Sequence, residues 1–210
     1  NEARRAKARE MIEECHKVAQ EYEYPQLQAL ALRNLGRVII LDGDYATALQ
    51  LLEESLALWE ANGDLGEGWR AHTLSAIGEA KYHLGDYDRA LESLLTAWRL
   101  RKKDGDTDGM IAAASDIALV LWVKGEDDHA AFWSNHSLNR AEQIARPARA
   151  YAYAHQRRAE LEQLRGDLAA ARRHARTALE TYEALGMAHG VQTLSTWLTT
   201  LAEDQAELTD

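Results

Sequence analysis

Apolar residues along this chain recur at the three- and four-residue spacing of helices that bury one face. The pattern returns four times, and each copy contains a Gly followed by Asp or Glu, with an Ala five positions after the Gly. The four glycines are Gly43, Gly85, Gly125 and Gly166, at intervals of 42, 40 and 41 residues. A period of this length predicts helical hairpins stacked into a solenoid, and the lack of alternating apolar strands predicts an all-α fold.

A small residue stands seven positions before each of these glycines and marks the expected crossing point of the two helices of a hairpin. The four small residues are Gly36, Gly78, Ala118 and Ala159. Side chains of this size allow two helix axes to approach to about 8–10 Å. Larger apolar residues around the crossing points supply the predicted buried stripe: Leu32, Leu35, Leu74, Ile77, Ile117 and Leu121.

The stripe changes in the third and fourth copies. In the fourth copy His155 and Arg158 replace the leucine pair, and we expect Leu161 and Leu164 to carry the apolar stripe instead. In the third copy Ser134 stands where the others have Leu52 and Leu94, and we expect the nearby Phe132 and Trp133 to fill the space.

The spacing that repeats around each turn glycine predicts how one helix ends and the next begins. A Gly at the end of a helix adopts the left-handed conformation that other residues avoid, and an Asp after it can cap the following helix with its carboxylate. We predict that Asp44, Asp86 and Asp167 act as such caps, whereas Glu126-Asp127 shifts the cap by one residue.

The repeats predict one continuous solenoid over residues 1–210 with no linker. We place the hairpins at 25–62, 65–104, 107–145 and 147–186, with a second helix of a truncated repeat at 1–22 and a capping helix at 188–204. Because residues 1–22 lack a first helix, we expect the native protein to continue upstream of Asn1. Trp59, Trp69, Trp98 and Trp133 are expected to be packing residues.

The acidic composition restricts the possible partners. The chain has 24 Lys and Arg against 34 Asp and Glu, a net charge of −10 and a pI near 5.3. This balance argues against nucleic acid and anionic membranes as direct partners, because phosphate binding needs dense Lys and Arg. No apolar run reaches the ~18–20 residues that span a bilayer, and Cys15 is the only cysteine, expected to be a packed thiol. We therefore expect a cytoplasmic protein.

Motifs for catalysis, cofactors and metals are weak or missing, so we predict a non-enzymatic chain without cofactor or metal. The eight His residues lack zinc-site spacing, and no phosphate-binding Gly-x-x-x-x-Gly-Lys loop occurs. Residues 104–109 match the first half of a calcium loop, but the twelfth position is Ser115 rather than the bidentate Glu. We interpret this segment as a helix stop.

The stretches Leu35-Gly36 to Gly43-Asp44-Tyr45-Ala46-Thr47-Ala48 and Ile77-Gly78 to Gly85-Asp86-Tyr87-Asp88-Arg89-Ala90 resemble tetratricopeptide (TPR) repeats. The long period is similar to that of kinesin light chains and of the C-terminal sensor arrays of bacterial signal-transduction ATPases (STAND) and LuxR-type or AfsR-type transcriptional regulators. The resemblance implies a right-handed α-α superhelix that binds partners in a concave groove lined by the first helix of each hairpin.

Mapped onto this sequence, the groove implied by the resemblance offers polar and aromatic residues that can hydrogen-bond a peptide, a protein or a small ligand and stack on its apolar parts. The candidate binding residues are Arg33, Asn34, Arg37, His72, Ser75, Glu79, Tyr82, Ser115, Asp116, Leu119, Trp122, Tyr153, Gln156, Arg157, Glu160 and Trp197. Two functions remain open, a sensor module linked to upstream domains of a larger regulatory protein and a stand-alone adaptor.

Overall fold

The computed structural model describes residues 2–61, 67–144 and 148–207, with side chains described from 3 to 201 inside those ranges. All regular structure within these ranges is helical, which confirms the all-α fold class. The chain forms two compact units, residues 1–105 and 106–210, and the described residues of each unit form five helices. That the two units form one continuous solenoid stays a prediction.

Unit 1 consists of two antiparallel hairpins preceded by a single helix. The helices are α1 (Glu2–Glu21), α2 (Pro25–Ile40), α3 (Tyr45–Ala61), α4 (Glu67–His83) and α5 (Tyr87–Asp104). The pairs α2–α3 and α4–α5 form the hairpins, α1 packs on α2, and α3 packs on α4. Pro25 occupies the first turn of α2, where its missing N–H leaves no hydrogen bond unmade.

Unit 2 repeats this design and ends in a single helix. The helices are α6 (Thr107–Val123), α7 (Asp127–Ala141), α8 (Arg149–Leu164), α9 (Leu168–Ala184) and α10 (Ala188–Glu207). The hairpins are α6–α7 and α8–α9, and α10 packs on α9. The predicted boundaries between hairpins at 62–65 and at 145–147 fall on residues outside those that the structure describes.

The turn glycines behave as predicted. Gly43, Gly85, Gly125 and Gly166 have φ between 79° and 83°, in the region that disfavours side chains with a Cβ. Each predicted Asp cap accepts a hydrogen bond from a backbone N–H three residues later, from Thr47, Arg89 and Ala170 at 3.1, 3.3 and 2.8 Å. The third hairpin differs, because α7 starts after Glu126 without a side-chain cap.

The small residues at the crossing points are required by direct contact. A Cβ on Gly36 would lie 2.8 Å from Leu52 Cγ, and one on Gly78 would lie 2.6 Å from Leu94 Cγ. Real Cβ atoms do not approach other heavy atoms this closely, so each Gly lets a leucine of the second helix seat against the backbone of the first.

Three expectations about packing are wrong. Cys15 is exposed, Leu164 is 52% exposed and Phe132 is 63% exposed. The space beside Ser134 is occupied by Arg158 instead, whose Nη1 donates to Ser134 Oγ at 3.0 Å while its Nε donates to Glu162 at 2.6 Å. A half-buried guanidinium paired with the buried carboxylate of Glu162 therefore replaces the leucine that the first two hairpins use.

Residues 104–109 form a helix boundary, as interpreted from the sequence. The helix α5 ends at Asp104, Gly105 has a φ of 70°, and Asp106 caps α6 by accepting from Gly109 N–H at 2.9 Å.

Candidate binding faces of the two units

Unit 2 carries a network of polar side chains across α6 and α8. Tyr153 donates its hydroxyl to Asp116 Oδ1 at 2.7 Å, and Arg157 Nε lies 2.9 Å from the same oxygen. Arg157 Nη1 donates to Glu160 Oε2 at 2.7 Å, and its guanidinium carbon lies 5.0 Å from the centre of the Tyr153 ring. All four side chains are half-buried, so the network is ordered but open to solvent along one side.

Aromatic contacts extend this face toward α10. Trp197 donates its indole N–H to Gln163 Oε1 at 3.1 Å, which joins α10 to α8. The Arg165 guanidinium carbon lies 5.6 Å from the centre of the Trp122 ring on α6. Half-buried Trp rings beside fixed hydrogen-bonding groups provide the amphipathic surface that peptide-binding sites use.

Unit 1 carries a different face on α2 and α4. Arg33 is only 8% exposed, and its guanidinium carbon lies 4.9 Å from the centre of the Trp69 ring. Its Nη2 donates to Asn34 Oδ1 at 2.6 Å. Trp69 is 42% exposed and tilts against His72, with ring centres 5.8 Å apart. The face therefore combines a buried cation with an exposed aromatic ring.

Positive charge accumulates at this face of unit 1. Burial and, secondly, the charge of Arg37 lower the pKa of Arg33 to about 10, which leaves it protonated at neutral pH. Arg101 on α5 is 5% exposed, and its Nη2 lies 3.4 Å from His72 Nδ1. Arg33 forms no ion pair with any residue in the described parts of the chain.

The remaining predicted site residues divide by burial. Arg37 and His72 are exposed, while Asn34, Ser75, Glu79, Tyr82, Trp122, Gln156 and Trp197 are half-buried.

Two predicted site residues face the interior. Ser115 Oγ donates to the Ile111 carbonyl at 3.0 Å and lies 2.6 Å from Ser137 Oγ, and Leu119 is 5% exposed. Their burial argues against ligand contact at these two positions, because α6 presents Asp116 and Trp122 to the face instead.

Four residues that belong to these faces were missing from the sequence-based set. Trp69, predicted to be a packing residue, is the exposed ring beside Arg33, and its position three residues before His72 on one helix face was the available signal. Gln163 bonds Trp197, Arg165 contacts Trp122, and Tyr182 donates to Gln156 Oε1 at 3.0 Å. No spacing in the sequence indicates these last contacts.

A histidine pair lies in unit 2 beside the polar network. His155 is 7% exposed, and its Nδ1 lies 2.9 Å from His174 Nδ1. Only one of the two nitrogens can donate at this distance, so at least one ring must be unprotonated there. Burial, and secondly the charge of Arg158, lower the pKa of His174.

Within the described ranges, no group of three or more His, Cys, Asp or Glu residues is placed to hold a metal ion. None of the helices in those ranges has the length and apolar character needed to cross a bilayer.

Comparison with solved structures defines the class of fold. No protein-family model and no curated protein sequence matches this chain. Solved structures do match, and they are TPR-like repeat proteins, which confirms the helical-repeat part of the predicted resemblance. All identities are low, so these likenesses bear on the fold alone.

Three structures illustrate the likeness. BtubC from P. vanneervenii has a TM-score of 0.63 at 14% identity, over 98% of this chain and 92% of that one. A Rap protein complexed with competence and sporulation factor has a TM-score of 0.67 at 14% identity, over 97% of this chain but only 60% of its own. A Podospora anserina chain described as kinesin light chain, with nearly identical TPR-like repeats, has a TM-score of 0.64 at 15% identity, over 89% and 90% of the two chains.

Proposed function

We propose that this chain is a non-catalytic binding module that holds an extended peptide segment of a partner protein. The observation that carries the proposal is the convergence of Asp116, Tyr153 and Arg157 on one half-buried face, with distances of 2.7–2.9 Å between them. Such a network presents fixed donors and acceptors to a peptide backbone without the entropy loss of ordering them on binding.

The aromatic residues beside the network supply the second requirement for peptide binding. Trp122 and Trp197 are half-buried and each contacts a polar side chain of the α8 region, Arg165 and Gln163 respectively. Rings held in this way offer apolar area for a ligand side chain while their polar contacts fix their orientation. A complex between a Rap protein and competence and sporulation factor, in a related fold, supports this use of the architecture.

We further propose that the module is the ligand-sensing part of a larger signalling protein, a STAND ATPase or a transcriptional regulator, in which binding shifts the equilibrium between two states. The alternative is a stand-alone adaptor for protein–protein interaction. The sequence of the complete gene separates them. A nucleotide-binding or helix-turn-helix module beside the repeats supports the sensor, and a gene that contains only repeats contradicts it.

Selection of peptides from a random display library tests the binding function. We expect selected peptides to bind the intact 210-residue chain and to lose about tenfold or more in affinity for Arg157→Gln, since a charge-assisted hydrogen bond contributes about 1.5–3 kcal/mol. Tyr153→Phe keeps the ring and removes one donor, so a smaller loss is expected. The matched control is Arg176→Gln, at an exposed position of α9, which we expect to bind as the parent does.

Thermal unfolding of each variant, followed by circular dichroism, shows whether the fold is retained. Selection of no peptide, or equal binding by Arg157→Gln and Arg176→Gln, would contradict the proposed use of this face.

A further inference from the structure

Helix α1 exposes a stripe of apolar side chains next to the face that packs on α2. Met11, Val18 and Tyr22 are 63%, 45% and 62% exposed. Cys15, between Met11 and Val18, is exposed as well. The steps of four, three and four residues place all four side chains on one side of the helix. A row of exposed apolar side chains of this kind is typical of a surface that another polypeptide covers.

The corresponding side of α3 is covered by a helix. Position 55 of α3 corresponds to position 15 of α1, forty residues earlier, and Ser55 is fully buried and donates its hydroxyl to the Ala29 carbonyl of α2 at 2.7 Å. Leu51 and Leu58, which correspond to Met11 and Val18, are half-buried. A helix placed on the stripe of α1 would therefore complete a packing arrangement that the α2–α3 hairpin already uses.

The charges of α1 are divided along its length in a way that suits one particular helix. Residues 3–9 carry four basic side chains, whereas residues 10–21 carry four acidic side chains and one lysine. This order is the reverse of the one that the helix dipole favours, so it weakens α1 rather than stabilising it. A second copy of α1 that runs antiparallel to the first sets its acidic part beside the basic part of the first, and the reverse.

We propose that the chain associates with a second copy of itself through α1, as a two-fold dimer in which the apolar stripes of two antiparallel α1 helices pack together. In such an isologous contact the same surface of both copies is used, so the contact closes at two chains. A parallel pair would set basic side chains beside basic ones and acidic side chains beside acidic ones, which is unfavourable.

The residues that flank the stripe agree with the antiparallel arrangement. Lys7, Glu14 and Glu21 follow one another at intervals of seven residues and are exposed. In the antiparallel pair Lys7 of each copy lies opposite Glu21 of the other, and the two copies of Glu14 meet near the two-fold axis. We expect a dissociation constant on the order of 10 μM, because the contact of two such helices is at the low end of interface size.

This surface is separate from the polar network on unit 2. The proposal goes beyond the binding of a partner peptide, and its tests measure only the mass of the assembled chain. Failure of the dimer and failure of the proposed function are therefore distinguishable.

Sedimentation equilibrium of the 210-residue chain at about 1–500 μM tests the dimer. Met11→Glu places a charge in the apolar contact, so we expect it to weaken association at least tenfold. The matched control is Phe132→Glu on α7, because Phe132 is likewise 63% exposed, and we expect it to associate as the parent does. Circular dichroism checks that both variants keep their helices.

Two results of this experiment overturn the proposal. One is a parent chain that stays monomeric at every concentration, which leaves the stripe to a helix of a different sequence. The other is equal association of Met11→Glu and Phe132→Glu, which places the contact elsewhere on the chain.

Exchange of the flanking charges tests the direction of the two helices. Lys7→Glu and Glu21→Lys each create two like-charge pairs in an antiparallel dimer, so we expect each to weaken association about fivefold at low salt. The double variant Lys7→Glu/Glu21→Lys restores opposite charges and is expected to associate as the parent does. Single variants that match the parent, or a double variant as weak as the single ones, overturn the antiparallel pairing.

Discussion

Replacement of Arg33 by methionine is expected to stabilise this protein, although Arg33 is buried. The fall of the Arg33 pKa from its ordinary value to about 10 corresponds to about 3 kcal/mol of disfavoured charge in the folded state, at about 1.36 kcal/mol per pKa unit. Methionine gives up the hydrogen bond to Asn34 and the contact with the Trp69 ring, which together contribute about 1–2 kcal/mol. Water that reaches the Nη nitrogens reduces the penalty on the charge, so we expect Arg33→Met to raise the free energy of unfolding by a net of about 1 kcal/mol.

The sign of this effect does not change near neutral pH. A cation whose pKa is lower in the folded state binds its proton more tightly in the unfolded chain, so folding is penalised at every pH below the folded value of about 10. The penalty is relieved only as the pH rises from there toward the ordinary pKa of an arginine. The free energy of unfolding measured between pH 7 and 8 therefore includes the whole penalty that the Arg33 charge places on folding.

Urea unfolding followed by circular dichroism gives the free energy, and amide hydrogen exchange over α2 and α4 assigns it to unit 1. The exposed Arg99→Met is the matched control and is expected to lie within about 0.5 kcal/mol of the parent. If Arg33→Met loses more than about 1 kcal/mol while Arg99→Met is neutral, Arg33 is a satisfied structural residue.

Two further predictions concern packing and pH. Gly36→Ala forces a Cβ to within 2.8 Å of Leu52 Cγ and should lower the free energy of unfolding by about 1–3 kcal/mol. The control is Gly68→Ala, whose Cβ meets nothing within 4 Å and which should be neutral or stabilising by up to about 1 kcal/mol. Equal losses of unfolding free energy in the urea titrations of the two variants would contradict the crossing geometry. Because the pKa of His174 is lowered in the folded state, stability should be fully present above pH ~6.5 and decline below it, by at most about 1.4 kcal/mol per pH unit for one proton. His174→Gln should reduce this loss of stability at low pH. If the pH dependence of the free energy of unfolding is unaltered in that variant, a group other than His174 takes up the protons.

Local chemistry explains why much of the fold was predictable. Gly43, Gly85 and Gly166 were identified as helix ends because few other residues tolerate φ near 80°. Asp44 and Asp86 were identified as caps because an Asp side chain reaches a backbone N–H only three residues away. Both requirements are met within a few residues of chain, so a single sequence suffices to find them.

The wrong packing predictions, in contrast, concern contacts between residues that are far apart in the chain. Ser134 was expected to be compensated by its neighbours Phe132 and Trp133, but the compensating group is Arg158, 24 residues later on α8. Ser115 was assigned to the binding face, yet its hydroxyl bonds inside the α6–α7 hairpin. Helical periodicity gives the order of residues around a helix, but a small error in the assumed direction of the core moves a whole turn from surface to interior.

The amino-acid sequence by itself determined the period of the hairpins, their corners and their crossing points, because each depends on one backbone conformation or one missing Cβ, as at Gly36 and Gly43. Only the tertiary structure decided which charges are paired. Arg157 lies beside Asp116, 41 residues before it in the chain, whereas no carboxylate of the described residues pairs with the buried Arg33. Both are arginines on the first helices of hairpins, Arg33 on α2 and Arg157 on α8. What distinguishes them is the set of side chains that neighbouring helices bring within about 4 Å, the range at which an opposite charge stabilises a buried cation.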